Sequence, residues 1–192
     1  MNTVRALAQC LEQGADLQTP PGYRPAGVVA LLHGRAGDPW LLFTRRHGAL
    51  PDHPGQISFP GGALEPGEDF WQAACRECGE EVGLNPVGGE PLGRLTPVPI
   101  AVSRFFVVPF VVYMPGQPDL RNTWSEAEVV EVFSHPLSQL GALRRLEEVH
   151  LQGRGFGMWP VFDLPEGKLW GATAIMTDQL LSFWHATSRP VA

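Results

Sequence analysis

Three glutamates, Glu77, Glu80 and Glu81, stand in the segment Phe70–Val82. On a helix, their i, i+3 and i+4 spacing puts three carboxylates on one face. The flanks predict that helix. Asp69 can cap it, Gln72 completes a capping box, and Gly83 can end it with Asn85 and Pro86 beyond. Trp71, Ala74, Cys75, Cys78 and Val82 fall at helical spacing as an apolar stripe. Like charges at this spacing repel, and Gly79 inside a helix costs about 1 kcal/mol relative to alanine. Packing alone gives no reason to accept either. A hard divalent cation does, because it takes oxygen ligands and keeps positions for water and phosphate oxygens. A solvated acidic face is the plain alternative, and the glutamates by themselves do not separate the two.

Charge patterning adds to this. The 192 residues hold 20 acids and 14 basic residues, a formal charge of −6. Residues 62–84 alone hold six acids and one arginine, a net of −5. The remainder is nearly neutral, which makes nucleic acid a poor partner, since phosphate contacts need clustered positive charge. Residues 24–50, in contrast, carry four arginines and one aspartate. Arginine suits bidentate recognition of phosphate. Arg45 and Arg46 are adjacent, so on a strand they point to opposite faces, and one of them is expected at a substrate.

Cys10, Cys75 and Cys78 are too few for a disulfide framework. Cys75 and Cys78 lie on the apolar stripe, where packing is favoured over a redox or zinc half-site. No run of 18 apolar residues occurs, so no membrane partner is expected. The opening residues lack the apolar core of a signal peptide, and a reducing, cytoplasmic setting follows as the expectation.

Several elements must position these residues. Periodicity predicts helices at 4–11, Phe70–Val82 and 173–186. Strands are predicted at 26–32 and 40–45, paired across a turn at 34–38. Others are predicted at 92–98, 105–113, 129–133, 145–151 and 158–162. Strands and helices mix without strict alternation, which argues for the α/β class with a mixed sheet covered by helices. One domain over residues 1–192 suffices, with a short N-terminal helical extension and a C-terminal helix.

Gly62, Glu68, Arg76, Glu77, Glu80, Glu81 and Gly83 fit the pattern G-x5-E-x7-R-E-U-x-E-E-x-G-U, with Cys78 and Leu84 at the apolar U positions. This resembles the Nudix box without a gap, and the chain is similar to the Nudix hydrolase family. The resemblance implies an α/β/α sandwich with the box as loop–helix–loop. It implies hydrolysis of a diphosphate linked to another moiety, with Mg²⁺ or Mn²⁺ as cofactor. Glu77, Glu80 and Glu81 would be the metal ligands, and the backbone carbonyl of Gly62 or its neighbour could add another. Arg76 would orient Glu77, and Glu68 would pair with Arg76 or assist at the metal. Glu80 or Glu81 would accept the proton of the attacking water, although in this family the base can lie on another loop.

Upstream, Leu41-Leu42-Phe43-Thr44-Arg45-Arg46 and the segment GQISFPGG from Gly55 to Gly62 resemble the second signature of the coenzyme A pyrophosphatase subgroup. That resemblance makes Thr44, Arg45, Arg46, Gly55 and Phe59 substrate-binding candidates. Coenzyme A, or its oxidised or acyl forms, would be cleaved to 3′,5′-ADP and 4′-phosphopantetheine. Pro51 stands where the subgroup has an arginine, so that phosphate contact is missing or falls to Arg45 or Arg46. His53 reads as loop surface or a substrate contact, and Glu126 or Glu128 as lesser candidates for the metal site. A homodimer is compatible with the resemblance. The alternative is hydrolysis of another nucleoside diphosphate derivative, such as ADP-ribose or an oxidised nucleotide. A non-catalytic binding module is disfavoured because every acid of the box is present. An isomerase would need further acid/base residues that the sequence does not identify.

Overall fold

The computed structural model describes residues 3–13, 17–120, 124–151 and 155–188. Helix α1 (Thr3–Ala8) leads to strands β1 (Arg24–Gly34), β2 (Trp40–Arg46), β3 (Ile57–Ser58) and β4 (Gly61–Ala63). Helix α2 (Phe70–Val82) follows, then β5 (Glu90–Arg94), β6 (Val98–Ile100), β7 (Phe105–Pro115) and β8 (Val129–Pro136). A short helix α3 (Leu137–Leu140), strands β9 (Arg144–Leu151), β10 (Gly155–Leu164) and β11 (Gly167–Leu169), and helix α4 (Gly171–Ser188) complete the chain.

The larger sheet has the order β3-β2-β1-β7-β5, with β4 also on β1, β6 on β7 and β8 on β2. Strands β1 and β7 run parallel from Arg24↔Phe105 to Gly34↔Pro115, and the other pairs are antiparallel. The expected mixed sheet is therefore present. β9, β10 and β11 form a separate antiparallel sheet.

Central strands are apolar on both faces, as a sheet sandwiched between helices requires. Successive residues of β1 serve opposite layers. Ala26, Ala30 and Leu32 belong to the core that includes α1 and α4. Val29 and Leu31 pack with Ala74, Cys78 and Val82 of α2. β2 repeats this alternation, with Leu41 and Phe43 on one side and Leu42 on the other. Among the described residues, α2 is the helix that packs on that second face. Among the described residues no helix is long and apolar enough to cross a membrane.

The edge of β1 opposite β7 is shared. β4 pairs with Ala26, Gly27 and Val28, and β2 pairs with Leu32 and His33. This brings Gly61 and Gly62 beneath α2. The expected strand at 92–98 is instead two strands, β5 and β6, because the ladder breaks between Arg94↔Phe110 and Val98↔Val107, where one extra residue stands opposite β7. Both still pair with β7. β3, β4 and β11 are too short to leave a periodic signal.

The contact between α2 and β1 is set by Gly27. A Cβ there would lie 2.0 Å from the carbonyl oxygen of Phe70. Backbone cannot yield to that overlap cheaply. Gly27→Ala is expected to cost about 2–3 kcal/mol in urea unfolding; an unchanged midpoint would contradict this packing.

Candidate active site

Helix α2 forms as its flanks require. The Asp69 carboxylate accepts from the Gln72 N–H at 2.8 Å, and the Asp69 N–H donates to the Gln72 side chain at 2.9 Å. Gly83 closes the helix in the left-handed region. Cys78 is fully buried on the apolar stripe, and burial holds the Cys75 thiol up at about 11, so both behave as packing groups.

The carboxylates divide into two sets. Glu77, Glu81 and Glu128 each offer an oxygen, and these atoms all lie within 4.8 Å of one another. Glu128 comes from the turn before β8. Its loop is held by the Ser125 N–H donating to the Glu81 carbonyl at 3.0 Å and the His47 N–H donating to the Glu128 carbonyl at 2.7 Å. Glu80 is not in this cluster. Its side chain is 59 % exposed and its carboxylate accepts from Arg76 Nη1 at 3.2 Å. Of the three box glutamates expected as metal ligands, the structure brings two together, and Glu128 takes the third place. Glu126 is exposed.

Glu81 is the buried member, at 2 % exposure. Its Oε1 accepts from Arg46 Nη1 at 3.2 Å and its Oε2 from the Gly61 N–H at 3.0 Å. Desolvation dominates over these contacts and pushes its carboxyl up to about 7. Burial also raises Glu77, which accepts from Arg76 Nη1 at 2.9 Å. Glu77 lies directly over Gly62, where a Cβ would sit 2.5 Å from its carboxyl carbon.

Arg76 holds the box loop to the helix. Its Nε and Nη2 donate to the two oxygens of Glu68 at 2.8 and 3.0 Å, and Nη2 also to the Ala63 carbonyl at 3.1 Å. Bonding to Arg76 keeps Glu68 below the usual carboxylate range. The geometry puts Arg76 in contact with Glu77 and places Glu68 on Arg76 rather than among the clustered oxygens.

The substrate candidates fare unequally. Arg46 reaches Glu81. Arg45 is committed elsewhere, to Glu131 at 3.2 Å and to the Glu166 carbonyl. Thr44 is fully buried and bonds to Ser58 Oγ at 3.0 Å, and Phe59 is buried in a stack on Phe43. Thr44, on β2, and Phe59, between β3 and β4, are both buried in this structure. Gly55 lies on an exposed loop. His53 is tied to Ser103 at 3.2 Å.

Such a set of oxygens, two on one helix and one from a facing loop, suits a hard divalent cation. Sequence comparison places the chain in a family. Residues 23–154 match the NUDIX domain, and the chain belongs to the Nudix hydrolases. It is 42 % identical over 133 residues to a Nudix hydrolase of Enterobacter sp. named NudL, covering 69 % of this chain and 67 % of that protein. A NudL of Pectobacterium atrosepticum is 34 % identical over 179 residues, 86 % of this chain and 88 % of that protein. In fold, the chain is similar to the crystal structure of a MutT protein from Methanosarcina mazei, with TM-score 0.52 and 18 % identity over 91 % of this chain and 97 % of that one. The protein is thus an enzyme that hydrolyses nucleoside diphosphate derivatives, in a family that generally uses Mg²⁺ or Mn²⁺.

The raised Glu81 carboxyl makes a prediction for the metal-free protein. A glutamate that titrates higher in the fold than its unperturbed value of 4.5 loses stability on ionisation. The contribution is present at low pH and disappears as pH rises through about 7. In EDTA the thermal midpoint is expected to fall between about pH 5 and about pH 8, and Glu81→Gln to flatten that fall. Equal slopes for the two proteins would contradict the assignment.

Proposed function

We propose that this enzyme hydrolyses the diphosphate bond of coenzyme A or its oxidised or acyl derivatives. A divalent cation, Mg²⁺ or Mn²⁺, would be held by Glu77, Glu81 and Glu128. The supporting observation is the convergence of these three carboxylates beside Arg46, which lies on the strand of the second signature. When bound, the cation would neutralise phosphate oxygens and make a water more acidic.

The chain's own residues have separable tasks. Arg46 is partly exposed and offers a guanidinium to a diphosphate oxygen at the mouth of the cluster. Arg76 fixes the Glu77 carboxylate and the box loop together. Gly62 lets the Glu77 carboxylate sit directly against its backbone, because no side chain intervenes. Glu80, on the exposed rim, and Glu81, inside, both remain candidates for the general base.

The second reading is another nucleoside diphosphate derivative, such as ADP-ribose. It is favoured by one fact: Thr44, Arg45 and Phe59 serve the fold here, which leaves Arg46 and the 47–56 loop to carry the signature's recognition. A product assay with Mg²⁺ separates the two. Coenzyme A is expected to yield 3′,5′-ADP and 4′-phosphopantetheine, with kcat/KM at least about tenfold above ADP-ribose. Inert coenzyme A alongside rapid turnover of ADP-ribose would overturn the reading. In the same assay, Glu81→Gln should lower kcat/KM by more than about a hundredfold, and Glu80→Gln at least about ten times less.

A further inference from the structure

Two arginines outside the box stand at the start of β1 and at the turn before β7. The Arg24 N–H donates to the Arg104 carbonyl at 2.7 Å, so the two residues are immediate neighbours. Each guanidinium lies over a ring. Arg24 is 4.0 Å from the centroid of Phe105, and Arg104 is 5.9 Å from that of Tyr23. Arg104 holds a positive φ of 57°, which costs energy at a residue with a long side chain. Both side chains reach solvent, and Arg24 pairs with the Asp52 carboxylate at 3.3 Å.

This cluster is joined to the carboxylate site by a short chain of contacts. Glu81 meets Arg46, Arg46 Nε reaches the Asp52 carbonyl at 3.4 Å, and the Asp52 side chain takes Arg24. The same 47–56 loop is pinned to the turn that bears Arg104 through His53 and Ser103. Along β1, Arg24 lies three residues from Gly27, which pairs with Gly62 below Glu77. That is about 10 Å of strand. Arg24 gives one N–H to Asp52, and the two exposed guanidinium groups, each beside an aromatic ring, carry further N–H groups that suit a phosphate next to an aromatic surface.

We propose that Arg24 and Arg104, with the rings of Phe105 and Tyr23, form a second anion subsite that takes the phosphate monoester on the ribose of the substrate. The inference rests on the coenzyme A reading. Apart from its diphosphate, that substrate carries one further phosphate, on the adenosine half. The subsite discriminates among nucleotides, whereas the carboxylate site performs hydrolysis on any of them.

The test is equilibrium binding of 3′,5′-ADP and of 5′-AMP to the full chain by calorimetry. Wild type is expected to bind 3′,5′-ADP about tenfold or more tighter than 5′-AMP, the scale of one charge-assisted phosphate contact. Arg104→Ala and Arg24→Ala should each remove most of that preference and leave 5′-AMP binding within about twofold. No preference in wild type, or a preference that survives both substitutions, overturns the proposal. So does an equal loss for both nucleotides, which would mean that the arginines only hold the loop. Coenzyme A turnover is measured separately. If coenzyme A is inert but the preference is present and lost as stated, the substrate reading fails and the subsite stands.

Discussion

One carboxylate constrains this structure more than any other group. Glu81 is buried in a site that also holds Glu77 and Glu128, and a buried negative charge beside two others is costly unless something positive offsets it. Arg46 and the Gly61 N–H supply part of that compensation, and burial still dominates. A divalent cation, on the reading proposed above, completes it. Much of the surrounding architecture serves to hold Glu81 in place. Gly27 lets α2 sit directly on β1, β4 brings Gly61 and Gly62 under the helix, and the turn before β8 bonds back to the Glu81 carbonyl.

Arg76 organises the second set of charges. It takes both oxygens of Glu68, one of Glu77 and one of Glu80, and the carbonyl of Ala63. The box therefore contains one ionic network built on Arg76, whose single guanidinium meets three carboxylates, and one carboxylate cluster facing inward. Glu77 belongs to both, which couples the position of the inner carboxylates to the loop that carries Gly62 and Glu68. The concentration of acid in residues 62–84 is in this sense two features. Arg76 offsets part of the outer one, and on the reading proposed above a divalent cation would offset the inner one.

Much of this was legible in the sequence where the signal is local. The bounds of α2 follow from Asp69, Gln72 and Gly83, whose roles are set within one turn of the helix. The central strands follow from long apolar runs. Residues 92–98 divide into two strands because an extra residue stands opposite β7 between Arg94 and Val98, a shift of register that an apolar pattern does not record. Glu128 is harder: it stands far from the box in sequence, and only the pairing of β8 with β2 and the Ser125 bond to Glu81 bring it in. The resemblance marks Glu126 or Glu128 as lesser candidates for the metal site and does not choose between them. Thr44 and Phe59 adjoin the proposed site in sequence, and the structure buries both, Thr44 on β2 and Phe59 in a stack on Phe43. Of the two adjacent arginines, Arg46 reaches Glu81 and Arg45 is held by Glu131 and the Glu166 carbonyl.

The central claim is that Glu77, Glu81 and Glu128, rather than the three box glutamates together, form the inner cation site. Titration of Mn²⁺ followed by electron paramagnetic resonance tests this most directly, because it reads the free ion without any substrate. Wild type and Glu80→Gln are expected to bind Mn²⁺ with affinities within a few-fold of each other. Glu81→Gln and Glu128→Gln should each weaken binding by about tenfold or more. Full affinity in Glu128→Gln, with loss confined to Glu77, Glu80 and Glu81 variants, would contradict the account.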